Sequence, residues 1–275
     1  MKKIIFTLAI MLVSATRAHA QIAFYNIDPE KFVKLMDKSQ QLDRDNAIFI
    51  VKQTMKVMGE DPKSYRKSLE MATERLSDPT DSIHNEDLLI AVLQSAVESF
   101  VLSSNEKLRP QAMLDAALKN RIGEVATDIN YVTPDGKQGN LLNNDNCYTL
   151  VYFNDPDCDA CAKVKENLAN SAVVKQAVDA GTLKVVAINP EGNEKLWKKA
   201  KFPEWITNGW DKSQAINKNE TYALPTLPVF FLLGRDNVVL LKNEASLKRI
   251  EGAITKVLAD PDATSAALAK LLFKR

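Results

Sequence analysis

The sequence predicts an α/β protein with two domains, an N-terminal all-α helical domain and a C-terminal domain with a central mixed sheet and flanking helices. Its 275 residues are enough for two ordinary domains. From about residue 28 to residue 121, apolar residues recur at helical spacing and Gly59 is the only glycine. After Arg121, turn signals appear, and short β-rich runs alternate with helical segments.

The first twenty residues have the features of a secretory signal peptide. A basic start precedes an apolar stretch at residues 4–13, and Ala18-His19-Ala20 forms a cleavage site. The apolar stretch is too short for a membrane anchor, because a spanning helix needs about 20 residues. We therefore expect a signal peptide at residues 1–20, a mature chain that begins at Gln21, and export to the periplasm.

The charge balance gives no indication of a nucleic-acid partner. Cleavage would remove three of the 36 basic residues and leave 33 against 35 acidic residues, a net charge of −2. A nearly neutral chain lacks the positive charge that attracts nucleic acids or anionic membranes. We therefore expect neither as a partner.

Residues 21–120 are predicted to form the helical domain. Asp28-Pro29 and Asp61-Pro62 are helix-start signals, since each combines an N-cap acid with a first-turn proline. Residues 87–102 give the most apolar helix, with Phe100 on its apolar face. The pattern predicts a packed bundle of about five helices.

Residues 121–275 are predicted to form the second domain. Gly234 to Asn237 is predicted to be a hairpin turn, and Trp197 is predicted to point inward. The predicted strands cover residues 148–153, 183–188, 229–233 and 238–241. The predicted helices cover residues 161–170, 193–200 and 246–258, with a last helix capped by Asp260-Pro261 that reaches Phe273.

Cys158 and Cys161 form a C-x-x-C motif at the point where a strand gives way to a helix. This spacing puts both sulfurs on one side of the first helical turn, within reach of a disulfide. The free N–H groups and the positive end of the helix dipole favour the thiolate of Cys158. We expect Cys158 to attack a disulfide and Cys161, covered by the helix, to resolve the mixed disulfide.

Two other interpretations of the pair stay open. A zinc site would need two more ligands, and the mature chain offers only His84 and Cys147. The pair could also form a disulfide that has no function. Cys147 itself is interpreted as a small buried hydrophobic residue, with a regulatory or intermolecular disulfide as the alternative.

Further motifs carry a family resemblance. They are the run from Ile122 to Ile129 followed by Asp135-Gly136-Lys137, the strand up to Asn154, the Cys158-Asp159-Ala160-Cys161 motif, Leu227-Pro228, and the Gly234 hairpin. With these motifs, residues 121–258 resemble the thioredoxin fold, and in particular the TlpA-like thiol–disulfide oxidoreductases of bacterial envelopes. The helical part resembles a domain of unknown function that accompanies such folds.

The resemblance implies a docking edge for substrates. It implies a cis Leu227–Pro228 bond beside the sulfurs, with the Leu227 backbone available to pair with a substrate strand. Pro225 is a second candidate for the cis proline. We choose Pro228 because it directly precedes the apolar run and proline tolerates the first position of a strand.

The sequence departs from the family pattern around the cysteines. Tyr152 occupies the position of the buried acid of plain thioredoxins, Val164 that of a glutamate frequent in the TlpA-like group, and Asp157 that of an aromatic residue. Cys161 therefore lacks its usual base.

Nearby acids are predicted to tune the dithiol. Asp155, Asp157 and Asp159 lie within three residues of Cys158, and like charge disfavours a thiolate. A less stable thiolate means a less stable reduced form and a more negative potential. Asp157 and Asp159 are thus candidate pKa-modulating residues, and we expect a reductant rather than a strong oxidant.

The leading hypothesis is a periplasmic oxidoreductase that reduces protein disulfides through its dithiol. It needs no cofactor, because the cysteines carry the electrons, and a membrane redox partner would have to re-reduce the pair. The alternative is an envelope binding or structural protein that retains the fold without catalysis. A third hypothesis makes the helical domain the homodimerisation platform of an isomerase.

Overall fold

The computed structural model describes residues 27–273, so the predicted signal peptide lies outside the described residues. Across residues 27–273, no helix has the length and apolar character needed to cross a membrane. The chain divides into two compact units. Among the described residues, one unit holds residues 27–78 together with Ile83–Leu114, and the other holds Pro79–Ser82 and residues 115–273. The predicted domain boundary after residue 120 lies shortly beyond this division.

The N-terminal part is helical, as the sequence predicts. Its helices are α1 (Pro29–Ser39), α2 (Arg44–Met58), α3 (Pro62–Ser77), α4 (Glu86–Glu98) and α5 (Ser104–Ala117). Asp28 and Asp61 cap α1 and α3, because their carboxylates accept backbone N–H groups of the first turn. Phe32, Met36 and Leu88 are completely buried and belong to the apolar faces that these helices pack together.

One prediction in this part is wrong. Phe100 is fully exposed and lies outside α4, which ends at Glu98. Ser99 has extended backbone, and its hydroxyl accepts the N–H of Val101 at 3.0 Å. Such a local side-chain bond competes with helix continuation, and the helix therefore stops before Phe100.

The C-terminal part is built on a mixed sheet of seven strands, with the spatial order β2-β1-β5-β4-β3-β6-β7. The strands are β1 (Asn130–Val132), β2 (Gln138–Asn140), β3 (Tyr148–Phe153), β4 (Leu183–Asn189), β5 (Ile206–Trp210), β6 (Val229–Leu233) and β7 (Val239–Glu244). The predicted central strands are confirmed, whereas β5 was not predicted. Its sequence ITNGW is short and polar, and Gly209 is needed because a Cβ there would lie 2.8 Å from Ile188 and 2.9 Å from Tyr131.

Within the described range, four helices lie in the connections between β3 and β6, and two more follow β7. They are α6 (Asp159–Ala169), α7 (Ala172–Asp179), α8 (Glu194–Lys199), α9 (Ala215–Lys218), α10 (Leu247–Ala259) and α11 (Ser265–Phe273). The short helices α7 and α9 were not predicted. The predicted start of the last helix at Asp260-Pro261 is wrong, because Thr264 caps it by accepting the N–H of Ala267 at 3.3 Å.

Buried side chains on the two faces of the sheet form two cores. Along β3, Leu150 and Tyr152 belong to one core, whereas Val151 and Phe153 belong to the other. This alternation follows from the two-residue period of a strand. Because both faces are covered, β3 is apolar throughout and all six of its residues are buried.

The strand register determines which loops meet at one edge of the sheet. The end of β3 pairs with the start of antiparallel β6, with Phe153 opposite Val229. It also pairs with the end of parallel β4, with Phe153 opposite Ile188. The loop after β3, the residues before β6 and the connection after β4 are therefore neighbours, although they are far apart in sequence.

Candidate active site

Cys158 is the N-cap residue of α6. Its sulfur accepts the backbone N–H of Cys161 at 3.2 Å, and its side chain is half-buried. The sequence predicts this arrangement of an N–H group that points at the first sulfur. An N–H donor at a helix start stabilises negative charge on the atom that accepts it, so the geometry suits a sulfur that reacts as thiolate.

Cys161 is buried beneath the same turn, with 2% of its surface exposed. The backbone N–H of Asp155 points to its sulfur at 3.5 Å. Burial, followed by the neighbouring Cys158 and the negative charge of Asp155, raises the pKa of the Cys161 thiol to about 12. The two cysteines therefore differ in access to solvent, and both are unpaired thiols in this structure.

Leu227 and Pro228 lie beside the first sulfur. The Leu227–Pro228 peptide bond is cis, as the resemblance implies. The Leu227 carbonyl oxygen is 3.9 Å from the Cys158 sulfur. Pro228 is buried immediately before β6, whereas Pro225, the second candidate for the cis proline, is exposed. The pairing of β3 with β6 brings this backbone to the cysteines.

The three acids near the cysteines differ in position. Asp157 and Asp159 are exposed, whereas Asp155 is half-buried. The Asp155 carboxylate accepts the N–H of Asp157 at 2.9 Å, and its charge acts on Cys161. The sequence predicts Asp157 and Asp159 as the pKa-modulating residues and counts Asp155 only among the nearby acids. Its partial burial distinguishes Asp155 from the other two acids.

Tyr152 occupies the position of the missing buried acid. Its side chain is completely buried, and its hydroxyl donates to the Cys161 carbonyl oxygen at 2.7 Å. Burial raises the pKa of this phenol, and the neighbouring cysteines raise it further. Tyr152 is thus a neutral donor that holds the first turn of α6, and it does not replace the acid as a base.

A cleft of about 340 Å³ opens beside Cys161. Its walls come from the loop after β3, from α6, and from the end of α8 with the residues that follow it. Lys165, Lys199 and Lys201 line it, together with Asp155. None of these lysines was predicted at the site. Lys165 lies one helical turn after Cys161 on α6, so its i, i+4 spacing could have indicated it, whereas only the pairing of β3 with β4 brings Lys199 and Lys201 near the dithiol.

Cys147 stands apart from the dithiol. It is half-buried and its sulfur lies 3.0 Å from the Gly181 carbonyl oxygen, so the prediction of a buried position holds only in part. Over residues 27–273, no group of three or more His, Cys, Asp or Glu side chains is arranged to hold a metal ion.

Comparisons with known proteins cover both parts of the chain. Residues 19–120 match a family described as a domain of unknown function, DUF5106. The crystal structure of a thioredoxin-like protein from Bacteroides caccae is 30% identical, covers 87% of this chain and 85% of that chain, and superposes with a TM-score of 0.78. No curated protein matches.

Two partial similarities involve about half of the chain. The C-terminal domain of an uncharacterized protein from Bacteroides fragilis is 35% identical over 50% of this chain and 99% of that one, with a TM-score of 0.47. The thioredoxin domain of a thiol-disulfide oxidoreductase from Bacteroides vulgatus is 18% identical over 49% of this chain and 96% of that one, with a TM-score of 0.41. The Bacteroides caccae protein is similar to this chain over most of its length, and the sheet with a dithiol after its central strand β3 agrees with that similarity. This chain therefore belongs to the thioredoxin-like proteins and carries an N-terminal DUF5106 domain.

Proposed function

We propose that the protein is a thiol–disulfide oxidoreductase that reduces protein disulfides through Cys158 and Cys161. The observation that carries the proposal is the N–H of Cys161, which points at the half-buried Cys158 sulfur from the start of α6. This arrangement provides an attacking sulfur, and the buried Cys161 provides a second sulfur that can reach the first. The adjacent Leu227 carbonyl gives an extended substrate a backbone acceptor.

The reaction proceeds by two thiol–disulfide exchanges. The Cys158 thiolate attacks one sulfur of the substrate disulfide, forms a mixed disulfide, and releases the other substrate sulfur as a thiolate. Cys161 then loses its proton and attacks the Cys158 sulfur, which releases the second substrate thiolate. The two substrate thiolates take up protons, one of them supplied by Cys161. Two electrons have moved from the protein to the substrate, and a Cys158–Cys161 disulfide remains.

The oxidised pair must be reduced again before the next cycle. We assign this step to a membrane redox partner, and we place the protein in the periplasm on the strength of the residues 1–20. Membership in the TlpA-like group belongs to the same proposal. Cell fractionation followed by detection with an antibody tests the periplasmic location. The mass of the protein in solution tests whether it forms a homodimer through the helical domain.

Activity of single-cysteine variants tests the catalytic proposal. Cys158→Ser should abolish reduction of insulin disulfides, and Cys161→Ser should accumulate a mixed disulfide with substrate. Cys147→Ser changes a cysteine outside the dithiol and should retain activity. Equal activity in the wild type and in Cys158→Ser would refute the proposal.

The equilibrium potential tests the direction of electron flow. The protein is equilibrated in graded thiol–disulfide buffers, and the two cysteines are followed by alkylation and mass. A two-electron transition between about −180 and −300 mV, towards the negative end, supports a reductase. A value near about −120 mV is typical of strong oxidants and would contradict the predicted direction.

A second function is favoured by the surroundings of Cys161. Tyr152 stands in place of the usual buried acid, and the pKa of Cys161 is raised to about 12, so the resolving thiol is harder to ionise and lacks the base usual in thioredoxins. This observation favours an envelope binding protein that retains the fold without turnover. No reversible transition of the pair, together with no insulin reduction in any form, would support it over the oxidoreductase.

A further inference from the structure

The cleft beside Cys161 lies within reach of a substrate that is attached to Cys158. Cys161 is one of its lining residues, and the Cys161 N–H is 3.2 Å from the Cys158 sulfur. An extended chain advances about 3.3 Å per residue, so the few residues next to a substrate cysteine can enter the cleft. The volume of about 340 Å³ is sufficient for a small number of side chains.

The lining of the cleft is positively charged. Lys165 comes from α6, Lys199 from the end of α8, and Lys201 from the segment that follows, against one acid, Asp155. Lys199 and Lys201 are exposed, and Lys165 lies with its ammonium 5.4 Å from the centre of the Phe202 ring. In the described part of the chain, none of these three lysines is ion-paired, whereas the neighbouring Lys198 pairs with Glu194.

Unpaired ammonium groups around a concave site attract carboxylates. Lys165 lies on α6, whereas Lys199 and Lys201 lie in one stretch at the end of α8 and just after it, which the pairing of β3 with β4 brings beside α6. Lys165 also packs on an aromatic ring. Among the described residues, Asp155 forms no ion pair with any of these lysines, and its carboxylate instead accepts the N–H of Asp157. A local positive field also raises the rate at which an acidic partner associates.

We infer that this cleft binds an acidic peptide segment next to the disulfide of the substrate, so that the protein prefers disulfides flanked by Asp or Glu. The inference rests on the proposed function, since it names the substrate class of that same site. The disulfide exchange itself is unchanged. The carboxylates hold the substrate chain while Cys158 and Cys161 exchange sulfurs with it.

The test compares three synthetic peptides that share one disulfide and differ only in flanking Glu, Gln or Lys residues. The pre-reduced protein is mixed with each peptide, and oxidation of its dithiol is followed by alkylation and mass. We expect the rate constant for the Glu peptide to exceed that for the Gln peptide by roughly tenfold at low salt, as about three exposed ion pairs allow. The preference should shrink as salt is added.

Substitution of the lysines locates the preference. Lys165→Gln, Lys199→Gln and Lys201→Gln together should bring the Glu-to-Gln rate ratio close to one. The matched control replaces Lys163, Lys195 and Lys248, three exposed lysines outside the cleft lining, by glutamine and should retain the ratio. No preference in the wild type, or an equal loss in both variants, would overturn the inference.

A binding measurement separates this inference from the proposed function. A Glu-rich peptide without cysteine is titrated into the full protein in which both Cys158 and Cys161 are serine. Binding that the cleft substitutions remove supports the inference even if no peptide is reduced, and absence of binding overturns it. Glutathione disulfide carries carboxylates on a small molecule, and faster reduction of it than of the Glu peptide would overturn the assignment to peptides.

Discussion

Alkylation of the reduced protein should modify Cys158 and spare Cys161. Iodoacetamide reacts with thiolates, and the two sulfurs differ in both solvent access and environment. Cys158 is half-buried at the N-cap, whereas Cys161 is 2% exposed and has its pKa raised to about 12. The experiment exposes the native, reduced protein briefly to iodoacetamide near pH 8.

The size of the effect follows from the fraction of thiolate. A thiol with a pKa of about 12 is ionised to about one part in ten thousand at pH 8, whereas an ordinary cysteine with a pKa of about 8.5 is about one quarter ionised. Ionisation alone therefore predicts that Cys161 in the folded chain reacts more slowly than in the unfolded chain by about three orders of magnitude. Burial of the sulfur lowers the rate further.

Peptide mapping by mass spectrometry after timed quenching measures both rates in one sample. The same chain unfolded in denaturant is the control, because Cys161 there has no tertiary neighbours. A rate for Cys161 in the folded protein within tenfold of its rate in the unfolded protein would show that burial and a raised pKa do not protect this thiol.

Three further predictions concern the same turn. Asp155→Asn removes a negative charge that acts on Cys161, so it should lower the pKa of that thiol in a pH–alkylation profile. Asp157→Asn changes an exposed side chain and should shift this pKa less, and equal shifts in the two variants would contradict the role of Asp155. Tyr152→Phe removes the hydroxyl that donates to the Cys161 carbonyl oxygen, so it should lower the free energy of unfolding, measured in urea, by about 0.5–1.5 kcal/mol. An unchanged free energy of unfolding would show that this hydrogen bond does not stabilise the fold. The pKa of Cys161 is higher in the folded protein than in the unfolded chain, so the free energy of unfolding of the reduced protein should fall as pH rises from about 9 towards 12. Cys161→Ser should reduce this loss. A free energy of unfolding, measured in urea, that rises over this pH range would contradict the prediction.

Local signals were sufficient for much of the fold. Asp28 and Asp61 were predicted as caps because a short acid before a first-turn proline satisfies free N–H groups without help from the rest of the chain. The predicted strands around residues 148–153 and 229–233 match the structure, since runs buried on both faces are apolar throughout. The prediction that Phe100 lies on the apolar face of a helix is wrong, because the sequence shows the periodicity of the helix but not the hydrogen bond from the Val101 N–H to the Ser99 hydroxyl that accompanies its end.

Part of the candidate site also follows from local sequence, and part depends on tertiary structure. The sequence alone determined that Cys158 and Cys161 lie at a helix start and share one side of it, because the i, i+3 spacing fixes this within a single turn. The action of Asp155 on Cys161 and the positions of Lys199 and Lys201 at the cleft depend on how the chain folds and have no local sequence signal. These residues come together through the pairing of β3 with β4, and through the path of the loop after β3, rather than through any local pattern. The chemistry of the dithiol is therefore a property of one short segment, and its surroundings are a property of the sheet.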